Sequence, residues 1–553
     1  MDFDAVVLGT GLSESITAAA LSKAGFKVAH IDSNQYYGGD DASLTLDELM
    51  EWADQRASIP DDKAPSDFLA RQRARFTSIT HSSTLPTQSR QYSISLAPSI
   101  IPSIGPLIDS LIASGVSRYG NFKLLEKVAI YDRPGGVKSV PGSKEDVFKS
   151  KVLSLVDKRR LMRFLMFAAG EFEGKTELEG KEQLPFLQFL HDVFSLDDQA
   201  ASAIAYALAF CMSASDTTLP ALQRIRQYLR SAGRYGASPF LVGHYGGLGE
   251  IAQGFCRTSA VKGGTYILGR RISSIAPFVK QEDSSSSAHE TSLRPSRYAV
   301  ELEDFAEQLN CDLVICSSDY APPTAVTTVP PSPLNARQVF PVARCVAIID
   351  RPISFSPAEP SAESSAPPPV DADAPSEAPG EPPAVESSNP NYEVDTGLLV
   401  FPPSSFEGAS AITTAHVLVT GEGSLSAPKG KYILYISMPL IDASPQSAAA
   451  LLTPYLDATL TLAIEKPGEA SPINPLFTLF YIQHPPAPAT AATTMHPDIL
   501  AVEVLKASGH LRDSGVERDT QAEGREKDEA TALEVDAFWP PLDSVDDETV
   551  DDW

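Results

Sequence analysis

The stretch Asp4-Ala5-Val6-Val7-Leu8-Gly9-Thr10-Gly11-Leu12-Ser13-Glu14 governs the reading of everything around it. A short apolar run that ends in glycine is the pattern of a buried parallel strand. Ser13 to Ala24, rich in Ala and Leu, follows as a helix, and Lys27-Val28-Ala29-His30-Ile31-Asp32 reads as a second strand. Together they make one βαβ unit. The glycines stand at the turn between strand and helix, where a dinucleotide fingerprint belongs. Gly9 permits the tight turn, Gly11 opens the helix N-terminus to a pyrophosphate, and Asp32 stands where an acid would bind a ribose hydroxyl. A Rossmann-type α/β fold is therefore expected.

The cofactor grip is damaged in several places. The third fingerprint position, normally Gly or Ala, is Glu14, which sets a carboxylate against a dianionic pyrophosphate. Asn34-Gln35-Tyr36-Tyr37-Gly38-Gly39 resembles the Arg-x-Gly-Gly turn of flavin-dependent amine oxidases without its arginine. Cys311-Asp312-Leu313-Val314-Ile315-Cys316 resembles the strand before that family's late Gly-Asp, but Ser318-Asp319 stands in its place. The expectation is a flavoprotein-like fold without a cofactor. A flavin-dependent oxidoreductase is the rival of another class. Motif scans for H-E-x-x-H, G-x-S-x-G and G-x-x-x-x-G-K are empty, and the nine histidines form no metal-spaced cluster.

Outward from this unit the chain is mixed. From Glu145 to about Tyr235 the apolar residues recur at helical spacing: Val147 to Val156, Leu161 to Phe167, Phe186 to Phe194, Ala200 to Phe210 and Leu219 to Ser231. These five segments predict a helical domain inserted into the α/β unit. Strand character returns at Thr265–Leu268, Tyr298–Leu302, Leu313–Cys316, Val342–Ile349 and Lys431–Met438. The expected organisation is a discontinuous α/β domain over 1–140 and 235–510, with a helical domain over 141–234. Ser356 to Asn391, with ten prolines and no Lys or Arg, reads as a disordered insert (356–391). Gln281 to Pro295 reads as a polar loop, and 511–553 as an acidic tail carrying one apolar cluster, Phe538-Trp539-Pro540-Pro541-Leu542. An exposed aromatic pair in an acidic tail is a docking feature.

Composition narrows the function classes. The 553 residues carry a net charge of −27, which argues against a nucleic-acid partner, because phosphate neutralisation needs clustered cations. A hydrophobic content of 43% suffices for sizeable cores. Five scattered cysteines offer neither a disulfide framework nor a zinc site. No run reaches the length of a membrane span, and Met1-Asp2-Phe3-Asp4 lacks the basic start of a secretory signal. A cytoplasmic protein is expected.

Several motifs together carry a family resemblance. Val7 to Glu14, Tyr36-Tyr37-Gly38-Gly39 and Arg234-Tyr235-Gly236 resemble signatures of the Rab GDP-dissociation inhibitors and Rab escort proteins. So does Tyr245 to Tyr266, with Gly249-Glu250, Gln253-Gly254-Phe255 and Gly263-Gly264-Thr265-Tyr266. The resemblance covers about Asp4 to Asp350. Val140 to Lys151, Lys158 to Leu165 and Gly254-Phe255-Cys256-Arg257 resemble the escort branch, the accessory component of Rab geranylgeranyltransferase. The inhibitor branch, which recycles prenylated Rabs, is the close alternative.

The resemblance implies a non-catalytic protein that binds unprenylated GDP-bound Rab, presents it to the transferase heterodimer and carries the product to membranes. It places Tyr37, Glu250, Gln253 and Arg257 on a Rab-binding platform. The last three fall at i, i+3 and i+7, one face of a helix. A plain Glu250–Arg257 salt bridge, or Tyr37 as a core residue, are the competing readings. The resemblance puts the geranylgeranyl lipid in the helical domain, where Leu161, Phe164, Leu165, Phe167 and Ala168 would line a slot; an ordinary bundle core is the alternative. Lys149, Lys151, Lys158, Arg159, Arg160 and Arg163 form a basic stretch, either a docking or membrane-approach face or a solvated one.

Overall fold

In the computed structural model the described residues are 1–57, 67–140, 154–277, 298–316, 319–320, 340–357, 392–442, 446–464 and 473–485. The strand Asp2–Leu8, the helix Leu12–Lys23 and the strand Val28–Asp32 form the expected βαβ unit. They seed a six-stranded sheet in the order Thr265–Leu268, Val28–Asp32, Asp2–Leu8, Leu309–Cys316, Tyr298–Leu302, Ile272–Pro277. The first four strands run parallel and the last two turn antiparallel. Val6, Val7 and Leu8 are wholly buried, as a parallel strand covered on both faces requires.

The helix Leu12–Lys23 packs against the helix Leu248–Val261, with Ser15 meeting Cys256 at 3.2 Å and Ser22 meeting Ser259 at 2.8 Å. An apolar cluster of Ile16, Ala20, Leu111, Ile251 and Phe255 seals this layer. A second, eight-stranded sheet is antiparallel except where Thr396–Phe401 runs parallel to Lys127–Arg133. Its strands Thr396–Phe401, Ala415–Thr420 and Phe477–Gln483 were not anticipated from sequence.

The described part of the helical region holds helices Leu155–Ala169, Phe186–Phe194, Asp198–Ala203 and Thr218–Ser231. Ser154 caps the first by accepting from the Asp157 amide, and Asp197 caps the third at Ala200. The expected helix over Ala200–Phe210 begins earlier and winds into a π turn at Ile204–Leu208. The segment Val147 to Val152 lies outside the described residues, as do the Gln281–Pro295 loop, residues 358–391 of the acidic insert and the 511–553 tail.

Phe164, Phe167, Phe189 and Phe194 pack in the helical region, with Phe164 edge-on to Phe194 at 5.2 Å. This core is continuous with one face of the eight-stranded sheet, through residues such as Tyr228, Phe240, Leu398 and Tyr435. Among the described residues no helix is long and apolar enough to cross a membrane.

Candidate functional site

The four residues expected on a platform assemble at one place. Tyr37, Glu250, Gln253 and Arg257 line a single concavity of about 340 Å³, together with Tyr119, Phe122, Cys256 and Tyr266. Glu250 lies in the first turn of the helix Leu248–Val261, and Gln253 and Arg257 follow along its open face, both exposed. Gly249 lets this helix begin where it does: a Cβ there would stand 2.3 Å from the Ser43 backbone nitrogen. The first turn therefore rests directly on the Ala42–Ser43 backbone, in the segment that follows Tyr37.

Tyr37 is half-buried and meets the ring of Tyr266 edge-on at 5.9 Å. Tyr266 is backed by His30 at 5.0 Å, and His30 bonds the Gly9 carbonyl at 2.5 Å. Burial holds the His30 imidazole down at about 4, so it remains neutral and packs as an aromatic wall. Tyr37 is thus a partly open aromatic face on a rigid backing rather than a core residue.

The Arg257 guanidinium lies over the Tyr119 ring at 4.8 Å, and no ion pair joins it to Glu250 two turns away. The simple salt bridge considered from sequence is replaced by a cation–π contact, and Glu250 is left half-buried in the concavity with its carboxyl pushed up by desolvation. A half-desolvated carboxylate beside a guanidinium held by stacking can take up a charged and hydrogen-bonding partner surface. Tyr119 was missed by sequence reasoning. It follows a single 3₁₀ turn at Val116–Arg118, and nothing local marks its approach to a residue so distant in sequence.

The fingerprint cleft is occupied by the chain itself. Asp32 accepts from the Thr10 amide at 2.8 Å and the Thr10 hydroxyl at 2.6 Å through one oxygen. Its other oxygen accepts from Asn34 at 2.7 Å and Tyr320 at 2.8 Å. Both oxygens of the ribose-binding position are therefore taken. The Leu12 amide, the donor a pyrophosphate would use, gives its hydrogen to Asp41 at 3.0 Å. Glu14 folds back over Gly11, its Oε2 2.7 Å from where a Cβ on that glycine would sit. Arg75 holds Asp40 at 2.5 Å and Asp319 at 2.7 Å nearby. Asp40, Asp41, Arg75, Asp319 and Tyr320 converge from distant segments, and only Asp319 had drawn notice in the sequence.

A flavin dinucleotide does not fit this arrangement: its pyrophosphate would meet the Glu14 and Asp41 carboxylates, and its ribose would find Asp32 saturated. The purified protein is accordingly expected to show no flavin absorbance. A stoichiometric flavin spectrum would contradict this account of the cleft.

Burial, reinforced by Asp41, Asp32 and Asp40, pushes the Glu14 carboxyl up to about 7. Because the folded value is raised, the protonated form is favoured in the folded state. Its contribution is fully present below the ordinary carboxyl range and lost as pH rises through about 7. Glu14→Gln is therefore expected to stabilise the protein by about 2 kcal/mol at pH 8 and by little at pH 4, read as the difference between two melting profiles. Equal effects at both pH values would remove Glu14 from the buried charge cluster.

A model of the GDP dissociation inhibitor family matches residues 1–365. The chain belongs to that family. A relative from Drosophila melanogaster, named Rab proteins geranylgeranyltransferase component A, is 36% identical over 290 residues, covering 50% of this chain and 54% of its own length. One of the same name from Candida albicans is 32% identical over 299 residues, covering 52% of this chain and 44% of its own. The chain thus spans about half the length of the curated relatives it matches. The crystal structure of a Rab GDI from Plasmodium falciparum shares the fold, with a TM-score of 0.54 at 20% identity, covering 92% of this chain and 98% of that one. The mixed α/β architecture expected from Gly9 to Asp32 is therefore the family's own.

The residues expected to line a lipid slot are placed differently from the platform. Leu161, Phe164, Leu165 and Ala168 are all buried, with Phe164 and Ala168 fully so, in the shared core of the helical region and the large sheet. None of them lines the apolar cavities at the junction of the helical region with the sheet domains. In this structure they are packed side chains rather than the walls of an open slot. The outer face of the same helix bears Leu155, 85% exposed, and Met166, 65% exposed, beside the exposed Arg159, Arg160 and Arg163. Arg160 approaches Asp157 at 3.5 Å and Arg163 approaches Glu177 at 3.8 Å, so the basic stretch is partly neutralised. Lys149 and Lys151 lie outside the described residues.

Proposed function

We propose that this chain is a Rab escort protein, a non-catalytic component that binds a GDP-bound, unprenylated Rab GTPase and presents it to Rab geranylgeranyltransferase. One observation carries the reading: Tyr37 joins Glu250, Gln253 and Arg257, which share one helix more than 200 residues further on, in one open concavity in a member of the GDP dissociation inhibitor family. The names of the Drosophila and Candida relatives support the escort branch. The self-filled fingerprint cleft supports a binding role over redox chemistry.

In this mechanism the platform acts by complementarity. Tyr37 supplies a rigid aromatic contact, Gln253 an amide, Arg257 a stacked guanidinium and Glu250 a carboxylate. Recognition of the GDP state follows if these groups meet a Rab surface that rearranges on nucleotide exchange. The geranylgeranyl lipid has no polar handle, so holding it depends on burial, about 0.8 kcal/mol per CH₂ before ordering costs. Because Leu161, Phe164, Leu165 and Ala168 are packed shut, lipid uptake between the helices requires them to part. The protein then cycles between the cytoplasm and membranes with its cargo.

Binding of unprenylated Rab loaded with GDP or with a non-hydrolysable GTP analogue tests the proposal. A preference for the GDP form of about tenfold or more is expected; equal affinity for both, or no binding, would overturn it. Extraction of prenylated Rab from membranes without any effect on prenylation would point to the inhibitor branch.

A further inference from the structure

The helix Pro106–Ser114 stops at Gly115, whose φ of +77° is the left-handed turn that ends helices and that glycine adopts without strain. The chain then winds once through Val116–Arg118, and the Tyr119 and Gly120 amides both bond back to the Val116 carbonyl, at 2.9 and 3.3 Å. Val116 is buried in the same apolar cluster as Ile251 and Phe255 of the helix Leu248–Val261. The approach is close because Gly254 faces it: a Cβ on that glycine would stand 2.9 Å from the Val116 Cγ1. Two glycines and one buried valine therefore dock this turn on the helix. The turn delivers the Tyr119 ring to the concavity, over Arg257 and one helical turn beyond Gly254.

What the ring does there follows from its exposure. Tyr119 is 51% exposed and Arg257 is exposed as well, so the pair adds little to the core. The guanidinium carbon lies 4.8 Å from the ring centroid, within the range of a cation–π contact. Arginine is among the side chains with most rotamer freedom to lose on binding, and a surface that already holds the guanidinium removes part of that cost. A guanidinium held over a ring still keeps N–H groups at its rim for a partner. Among the described residues no hydrogen bond or ion pair takes them. A fixed cation with open donors thus stands in the concavity with the half-buried Glu250.

We propose that Tyr119 is a positioning residue of this concavity: its ring holds the Arg257 guanidinium in place for the partner surface, and the recognition itself is left to Arg257. The inference rests on the Rab reading and adds to it a residue that the family motifs do not single out.

The test is a double-mutant cycle on the full chain, read by binding of unprenylated, GDP-loaded Rab and by NMR of the free protein. Tyr119→Leu, which keeps apolar bulk and removes the ring, is expected to weaken Rab binding about fivefold at an unchanged melting temperature. Tyr119→Phe, which restores a ring, is expected to recover most of that loss. In an Arg257→Ala background, Tyr119→Leu is expected to cost nothing further. In the free protein, the Arg257 δ protons, assigned by their disappearance in Arg257→Ala, are expected to show an upfield ring-current shift that Tyr119→Leu abolishes and Tyr119→Phe retains. A Tyr119→Leu loss that persists without Arg257 would make the ring a direct contact and overturn the positioning role. Full affinity in Tyr119→Leu, no recovery in Tyr119→Phe, a large fall in melting temperature, or an Arg257 signal indifferent to the ring would overturn it too. If the natural chain binds no Rab while the ring-current shift is present, the Rab reading falls and this role falls with it; bound Rab indifferent to Tyr119→Leu removes the role alone.

Discussion

Arg257→Glu is expected to weaken binding of a GDP-bound Rab by about 30-fold or more, some 2 kcal/mol, without lowering the melting temperature. The physical case rests on where the side chain stands. Arg257 is exposed at the mouth of the concavity, lies on the Tyr119 ring at 4.8 Å and has no ion-pair partner among the described residues whose loss would destabilise the fold. Reversing its charge removes the stacked cation and leaves two carboxylates, the new one and Glu250, on one helix face two turns apart. Like charges at a binding surface cost several kcal/mol when desolvated by a partner and little when the surface is free. Glu250→Arg is expected to act in the same direction. Unchanged affinity in both, with both variants folded, would remove this helix face from the platform. A large fall in stability would mean that the contact with Tyr119 is structural.

Phe164→Ala produces the largest expected loss of stability, about 3–5 kcal/mol. Phe164 is fully buried, edge-on to Phe194 at 5.2 Å and tilted against Phe186 at 6.3 Å. Truncation deletes these aromatic contacts and opens a cavity that the surrounding side chains fill only in part. Denaturant unfolding checks the value. The same variant separates two roles for this position. If Phe164 serves the core, stability falls while prenyl-lipid affinity in the folded population changes little. If it lines a lipid slot, the added room alters lipid affinity at small cost to stability.

The fold was legible where short-range chemistry fixed it. A βαβ unit follows from an apolar run, two glycines and an acid within Asp4–Asp32, and the strands Thr265–Leu268, Tyr298–Leu302 and Val342–Ile349 lie where their β-branched and aromatic residues placed them. Phe186–Phe194 and the helix ending at Ser231 were legible for the same reason, a sustained apolar period. The strands Thr396–Phe401 and Ala415–Thr420 were harder, because each is six residues long, buried nearly throughout and without the alternation that marks a one-faced strand.

Legibility of the site divided along similar lines. Glu250, Gln253 and Arg257 share a helix face by simple spacing, so their grouping was visible, but Tyr119 and the closing network of Asp40, Asp41, Arg75, Asp319 and Tyr320 were not. Those groups meet only after the sheets assemble, and no local pattern links Arg75 to Asp319 across 244 positions. Glu14 was legible as an oddity in the fingerprint; what it does, folding back over Gly11, needed coordinates. The spacing of Leu161, Phe164, Leu165 and Ala168 cannot distinguish a packed core from a slot, since both demand apolar residues on one face.

Reconstituted prenylation tests the central claim most directly: unprenylated Rab, the transferase heterodimer and geranylgeranyl diphosphate, with and without this protein. Robust stimulation of lipid transfer to Rab is predicted for the natural chain, greatly reduced by Arg257→Glu and unaccompanied by any transfer when the heterodimer is left out. Prenylation that proceeds equally without the protein, or that the protein catalyses alone, would contradict the account.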